Sequence, residues 1–456
     1  MLDSYVWNTT DSVYSYNVIT SYANLFATTY VLNMTSLSWL TAEEVGPRHT
    51  WFHYLEVAVP HNIDATKNEG LLFMVGGEQQ QPPQQKNDQM SYVAAISRTV
   101  CSCLYMIPNQ PVVFNSDPLK MSRTEDEILA FGWAKFMNTS DTQWITRLPM
   151  VKAAVKAMDT IQHFSATLNI KIDQFTVAGA SKRGWTAWLT AAVDIKRVKT
   201  VVPMVIQVVK TRDVLAHTYD SLCEWPIAMK DYVAAGITGL LNSVAFTKLT
   251  NIIDPFVYRD RLANVNKYMV NALGDQFFMP DNSQFSYPYL PGGDEHKHLR
   301  YVPNTDHSMA GSDALEATAA FYFGSVHSVE LPNYNFTNEY TEDGMHLVVK
   351  VTNGKKPTSV LLWQTTNQNG RDFRIETVGK SFVSTPLQQD NANELQWSVF
   401  VKNPPKGYTC FTIELTYVGY FEDIQPLIPQ LKFTTSAYIV PNVLPCSYNK
   451  LKQNNP

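Results

Sequence analysis

The stretch FTVAGASKRGWTAWL, residues 175–189, carries an apolar run into Gly-Ala-Ser, then two cations, a glycine and two tryptophans. A serine alcohol is a poor nucleophile near neutral pH. It needs a base to take its proton, an acid to orient that base, and N–H donors for the developing oxyanion. A β-type run precedes Ser181 and a helical pattern follows it, while Gly179 and Ala180 give a turn room. This is the setting of a nucleophile elbow. The strict elbow is G-x-S-x-G. Here the spacing is G-x-S-x-x-G, with Arg183 where a small residue usually stands. On these letters alone, a serine that merely caps a helix fits as well.

In α/β-hydrolases the order along the chain is serine, acid, histidine. Asp275 follows the strand-like NKYMVNALG, where the acid should lie; Asp281 in MPDNS competes with it, and a plain turn aspartate is the alternative. His307, in VPNTDHSM, comes after the last predicted strand and just before a helix. His296 and His298 are worse placed for a base. The expected oxyanion donors are the backbone N–H of Lys182 and those of the loop after LLFMV, at Gly76, Gly77 and Glu78. Arg183 and Phe277 are substrate-binding candidates. Lys182 and Arg183 would favour an acidic substrate if they face it, but cations here often point outward or pair with structural carboxylates. DEHKH sets Asp294, Glu295, His296 and His298 close together, and His-x-His in an extended segment can face a zinc ion. No HExxH accompanies it and no third ligand is defined, so neither a metal nor a cofactor is expected.

The elements that must position these residues alternate. Residues 51–60 and 70–75 read as strands, and the EQQQPPQQKNDQ stretch after them as an exposed low-complexity loop. The stretch beginning VCSCLYM is another strand with its exit loop. Residues 125–136 read as a helix, and Met150, Val151, Ala154, Val155, Met158 and Ile161 recur at helical spacing. Strands around 172–179, 198–209, 266–273 and 297–303 then alternate with helices, which predicts an α/β fold with a mostly parallel sheet. Residues 1–50, rich in Tyr, Ser, Thr and Asn, read as loops and short helical turns wrapping a domain over 51–324. From 325 to 456 only β-type runs remain, among them MHLVVKVT, TSVLLWQTT, DFRIETV, LQWSVFV, YTCFTIELTYV and LKFTTSAYIV, which predicts a β-sandwich.

Bulk properties narrow the function. The 456 residues are 45% hydrophobic and 17% charged, as expected of a globular chain of two domains. The formal net charge of -5 argues against a nucleic-acid partner, and no apolar run is long enough to span a bilayer. Five cysteines (Cys101, Cys103, Cys223, Cys410 and Cys446) are too few for a disulfide framework; Cys410 and Cys446 are a candidate pair in an oxidising compartment. Sequons at Asn8, Asn33, Asn138 and Asn335 are candidate glycosylation sites, although the first residues lack a signal-peptide pattern.

The strings LPMVKAAVKAMDT, GASKRGWTAWLTAAVD, GDQFF, RYVPNTDHS, SVLLWQTTNQNGRDFR and KFTTSAYIVP resemble the PhoPQ-activated pathogenicity-related family. The resemblance runs from about residue 51 to 441. It implies an α/β-hydrolase with a C-terminal immunoglobulin-like domain, secreted, its leader absent from this chain, and with Ser181, Asp275 and His307 as the triad. Its G-x-S-x-x-G spacing is the family's own. One departure is Gln207, which follows PMVI where many relatives have Asp. Two functions are therefore expected: a serine hydrolase cleaving a small-molecule ester or a peptide, or a secreted signalling protein on that scaffold. The second is implied by the family's eukaryotic branch of proliferation repressors, and would call for a cell-surface receptor.

Overall fold

A computed structural model describes residues 1–10, 13–78, 82, 88–428 and 430–451. The chain divides into two compact units, Met1–Pro203 with Asp231–Val265, and Met204–Lys230 with Asn266–Pro456.

In the first unit, β1 (Ser15–Ala23), β2 (Ala27–Ser38), β3 (Thr50–Pro60), β4 (Glu69–Met74) and β5 (Cys101–Leu104) are followed by a two-residue ladder of β6 (Val112–Val113) with β7 (Ser122–Arg123). β8 (Gln174–Ala180) and β9 (Val198–Met204) complete the set. The sheet order is β1-β2-β3-β5-β4-β8-β9. The first three neighbouring pairs are antiparallel, while β5–β4 and β4–β8 are parallel. The apolar period seen in the sequence becomes the helix Arg147–Thr167, which buries Met150, Val151, Ala154, Val155, Met158 and Ile161. The helix Lys182–Val193 is buried along its whole length, which suits its Ala- and Trp-rich sequence.

The N-terminal segment departs from expectation. The expected short helical turns are present at Leu2–Val6, Ala42–Val45 and Gly46–His49, but between them the segment forms the long β1–β2 hairpin that extends the sheet. Its Ser, Thr and Asn content suggested loops, but Ala27, Val31, Leu32, Met34 and Leu37 of β2 are buried, and Asn24 makes the turn by accepting from the N–H groups of Phe26 and Ala27. A helix at Asp88–Ser97 was not expected. Most of the Gln-rich loop before it lies outside the described residues.

The second unit opens with a parallel pair, β10 (Asn266–Ala272) and β11 (Lys297–Val302). The helix Ala314–Val326 follows, buried over most of its length. Then come β12 (Tyr334–Tyr340), β13 (Gly344–Val351), β14 (Ser359–Asn367), β15 (Val383–Pro386), β16 (Gln396–Lys402), β17 (Tyr408–Val418), β18 (Gln430–Thr434) and β19 (Tyr438–Val440). They form two antiparallel sheets, β12-β13-β16 and β15-β14-β17-β18, with β19 also on β17. The pair β10–β11 is tied to β18: the Tyr268 hydroxyl donates to the Lys432 carbonyl at 2.9 Å, and the Tyr301 N–H donates to Thr434 Oγ1 at 2.9 Å. DFRIETV is not a strand. Asp372 accepts from the Arg374 N–H and the Thr377 hydroxyl, and the segment turns into the short helix Ile375–Val378. LKFTTSAYIV is split into β18 and β19 rather than one strand.

The candidate pair Cys410–Cys446 does not form. Cys446 is bonded to Cys223, and Cys410 is a free thiol buried in β17 between Thr365 and Ile439 of the flanking strands. Sequence proximity favoured the wrong partner because contact is set by which segments meet in space. Among the described residues, no helix is long and apolar enough to cross a membrane. Non-reducing peptide mapping is expected to return a Cys223–Cys446 cross-linked peptide, with Cys410 alkylated only after denaturation.

Candidate active site

Ser181 stands between β8 and the helix Lys182–Val193 with φ 55° and ψ −127°. A non-glycine residue held at positive φ costs about 1–3 kcal/mol, and such strain persists where the surroundings over-determine it. The hydroxyl makes no capping hydrogen bond to the helix, so the capping role does not account for this residue. The Ser181 carbonyl accepts from the Trp185 N–H at 3.1 Å, which closes the first turn. A Cβ on Gly179 would lie 2.8 Å from the Arg183 backbone carbon, so this close strand-to-helix turn requires glycine there.

The two cations after Ser181 turn inward. Arg183 spans Glu125 bidentately, at 2.7 and 2.6 Å, and its Nε donates to the Ile107 carbonyl. Lys182 Nζ lies 2.9 Å from Glu125 and 3.0 Å from Asp126. The Tyr232 hydroxyl donates to Asp126 at 2.9 Å. Beneath the turn, the fully buried Arg147 donates to the Lys182 carbonyl at 2.6 Å and lies 4.4 Å over the Trp185 ring. Arg183 is thus committed to Glu125 instead of facing a substrate. Its planar fork demands this arrangement, because a buried guanidinium needs acceptors. Glu125, Asp126, Arg147 and Tyr232 were not singled out from sequence. The Thr124–Glu127 capping box marks the helix start that carries Glu125, but no sequence signal pairs it with Arg183.

β4 lies parallel to β8, with Met74 beside Gly179, so the loop carrying Gly76, Gly77 and Glu78 leaves the sheet next to the elbow. Its carbonyls are occupied: Val75 accepts from Ile107 and Gly76 from Met106. A Cβ on Gly76 would come within 2.2 Å of Arg183 Nη2. Gly77 has φ 109° and Glu78 is exposed. The Lys182 N–H, at the first position of its helix, has no carbonyl one turn back to bond within the helix.

The second unit holds Asp275 and His307, the residues expected from the sequence as acid and base. β10 and β11 run parallel with Ala272 opposite Val302, so their following loops leave from the same end of the pair. These are carboxyl ends, where α/β folds build their sites. Asp275 is buried and accepts from the N–H groups of Phe277 at 2.7 Å and Phe278 at 3.3 Å. Its two oxygens also receive His307 Nδ1, at 2.9 and 3.0 Å. This bond sets the tautomer, with the proton on Nδ1 and a lone pair on Nε2. Among the described residues Nε2 has no hydrogen-bond partner. The His307 backbone N–H donates to Gln276 Oε1 at 3.0 Å, and the Phe277 ring packs 4.5 Å from the imidazole.

The competing residues are engaged elsewhere. Asp281 lies in a buried cluster, 2.9 Å from His217 Nε2 and paired with Arg371, which also donates to Ser221 Oγ at 2.7 Å. Burial would raise the Asp281 carboxyl, but Arg371 and His217 hold it well below the usual carboxylate range. His298 is buried, with Nε2 on the Pro332 carbonyl, and burial lowers it to about 4; His296 bonds Asn266. Among the described residues, no group of three or more His, Cys, Asp or Glu could hold a metal ion. Gln207 donates to the Tyr301 hydroxyl, so the carboxylate partner of His307 is Asp275 and not a residue at 207. Of the sequons, Asn8, Asn138 and Asn335 are exposed. Asn33 instead lies inside β2 with a buried Oδ1, a poor place for a glycan.

The fold and these two constellations define an α/β protein with a serine on a strained strand-to-helix elbow and a carboxylate-backed histidine after parallel strands. The chain belongs to the family of the PhoPQ-activated pathogenicity-related protein, whose model matches residues 2–374. It is 32% identical to autocrine proliferation repressor protein A of Dictyostelium discoideum over 460 residues, spanning 97% of this chain and 91% of that protein. Among solved structures it is similar to an acetyl xylan esterase from Paenibacillus sp. R4, at TM-score 0.47 and 10% identity, over 71% of this chain and 92% of that one. It is also similar to acetyl xylan esterase 1 of Thermoanaerobacterium sp., at TM-score 0.43 and 17% identity, over 68% and 88%.

Two predictions follow from the charges. Burial alone would raise the Glu125 carboxyl, but Arg183 and then Lys182 hold it at about 2, below its ordinary 4.5. A carboxyl depressed by folding contributes stability above its unfolded pKa and loses it as pH falls through the folded value. Urea unfolding is therefore expected to show wild type losing more stability than Glu125→Gln as pH falls from about 4.5 to about 2. Arg371→Ala strips the buried Asp281 of its guanidinium and leaves it only His217 and Gln284, and chemical denaturation should show a loss of about 3–5 kcal/mol.

Proposed function

We propose that the protein is a secreted serine hydrolase of α/β-hydrolase architecture that cleaves an ester or peptide bond, with Ser181 as nucleophile, His307 as base and Asp275 as its orienting acid. The observation that carries this reading is the backbone of Ser181, strained at positive φ with a hydroxyl that caps nothing. In this reading His307 Nε2 takes the Ser181 proton as Oγ attacks the substrate carbonyl. The N–H groups of Lys182 and of Gly77 or Glu78 hold the oxyanion, each such donor typically worth roughly 3 kcal/mol of barrier. The imidazolium formed is stabilised by Asp275 and passes its proton to the leaving group. A water activated by the same histidine then attacks the acyl-enzyme ester, the bond from the acyl carbon to Ser181 Oγ breaks, and the histidine returns a proton to Oγ as the acid leaves. Phe277, packed on His307, would form an apolar edge for the acyl or leaving group.

The Cys223–Cys446 disulfide and the three exposed sequons support an oxidising, extracellular setting. We read residues 325–456, with their two antiparallel sheets, as an immunoglobulin-like sandwich behind a hydrolase domain over 51–324. The proliferation repressor that matches nearly the whole chain favours a second role, as a secreted signal recognised by a cell-surface receptor. The two roles are separable: a Ser181→Ala protein that retains full effect on cells would assign that effect to binding alone.

A fluorophosphonate probe is expected to label Ser181 and no other residue, as read by mass spectrometry, and Ser181→Ala should abolish labelling. Asp275→Asn should lower kcat on a p-nitrophenyl ester by about 10⁴-fold, because the imidazole loses the tautomer the reaction needs. A folded wild type that neither labels nor turns over such esters would refute the hydrolase reading.

A further inference from the structure

The segment 371–382, between β14 and β15, reaches both loops that carry the acid and the base. It is tied to β14 near each end: Asn367 Nδ2 donates to the Asp372 carbonyl at 2.7 Å, and the Thr365 and Ser381 hydroxyls meet at 2.8 Å. From this base it makes three contacts with the segments that follow β10 and β11. The Ile375 N–H donates to the carbonyl of Gly274, the residue before Asp275, at 3.0 Å. Asn304, three residues before His307, forms a reciprocal pair with Phe382, donating to its carbonyl at 2.9 Å and accepting from its N–H at 3.0 Å. Arg371 is ion-paired to Asp281, where the loop from Asp275 turns into its next helical turn. Packing reinforces the first contact, since a Cβ on Gly274 would lie 3.1 Å from Ile375 Cβ.

We infer that residues 371–382 form a positioning strap through which the C-terminal sheets set the Asp275–His307 geometry. Loops left to themselves are mobile, and a catalytic hydrogen bond needs its partners held to within about 0.5 Å. The two loops touch each other directly through the Gly274 N–H and the Thr305 carbonyl, at 3.1 Å. The strap braces that contact from outside, on both loops at once. Ile375 and Asn304 are positioning residues and touch no substrate. The catalytic consequence rests on the hydrolase reading; the effect on the histidine itself does not.

The test uses full-length Asn304→Ala and Ile375→Pro. The proline removes the N–H that binds Gly274, at a first helical position that accepts proline, after Arg374 whose ψ of 146° suits a residue preceding proline. Ile375→Ala keeps that N–H. We expect Asn304→Ala and Ile375→Pro each to slow fluorophosphonate labelling of Ser181 and to lower kcat by about tenfold or more with KM little changed, because near-attack geometry is lost while binding is kept. Ile375→Ala should fall clearly less than Ile375→Pro. In histidine-selective ¹⁵N spectra, with His307 assigned through His307→Gln, both variants should shift His307 away from the single Nδ1–H tautomer. Labelling rates and a His307 signal that match wild type in both variants would overturn the strap. If wild type itself proves inert, the hydrolase reading fails and the His307 spectrum alone decides the strap. If Asn304→Ala does not fold, Asn304→Asp, which keeps the acceptor for Phe382 N–H, takes its place under the same criteria.

Discussion

The ion pair between Arg183 and Glu125 is the constraint on which the elbow depends. A turn with Ser181 at positive φ is uphill on its own, and something must hold both of its sides. Arg183 lies two residues beyond the serine, and its guanidinium is anchored to the start of another helix through Glu125. Taking these charges out of water is costly, and the pairing offsets that cost only because the fork geometry is bidentate and Lys182 adds a second cation. A glycine at 76 follows from the same constraint, because the guanidinium fills the space a side chain would take. The basic residues beside the serine are thus structural, committed to Glu125 and Asp126.

Asp275 and His307 depend on a different part of the chain. The unit that contains β10 and β11 also contains the two C-terminal sheets, and its polar contacts knit them together. Tyr268 and Tyr301 bond β18, Arg300 is buried between Asp313 and Glu414, and Arg371 meets Asp281. Through these contacts the C-terminal sheets support the strands that precede Asp275 and His307. The Cys223–Cys446 bond adds a covalent tie within the same unit, between the segment after β9 and the tail.

Local pattern determined a good deal by itself. Alternating apolar runs marked β3, β4, β8, β10 and β11, and the 3.6-residue period marked the helix at Arg147–Thr167, because these periods are properties of the backbone and need no partner. The position of Ser181 between strand and helix, and of Asp275 and His307 just past strands, was legible for the same reason. Pattern failed where polarity misled it. β1 and β2 looked like loops because 13 of their 21 residues are Ser, Thr, Asn or Tyr, yet one face of β2 is buried. DFRIETV had strand-like composition, but the Asp372 side chain diverted its backbone into a turn.

Choices among equivalent residues belonged to the tertiary structure. Asp275 and Asp281 lie six residues apart, and the partners that reach them, His307 for the first and Arg371 and His217 for the second, are what separate them. Cys223, not Cys410, lies beside Cys446. Arg183 and Lys182 face carboxylates that lie more than 55 residues back in the sequence. Spacing along a chain fixes which residues can share a face of one element, but a charge, a thiol or an imidazole takes its role from whichever partner the packing of several elements delivers to it.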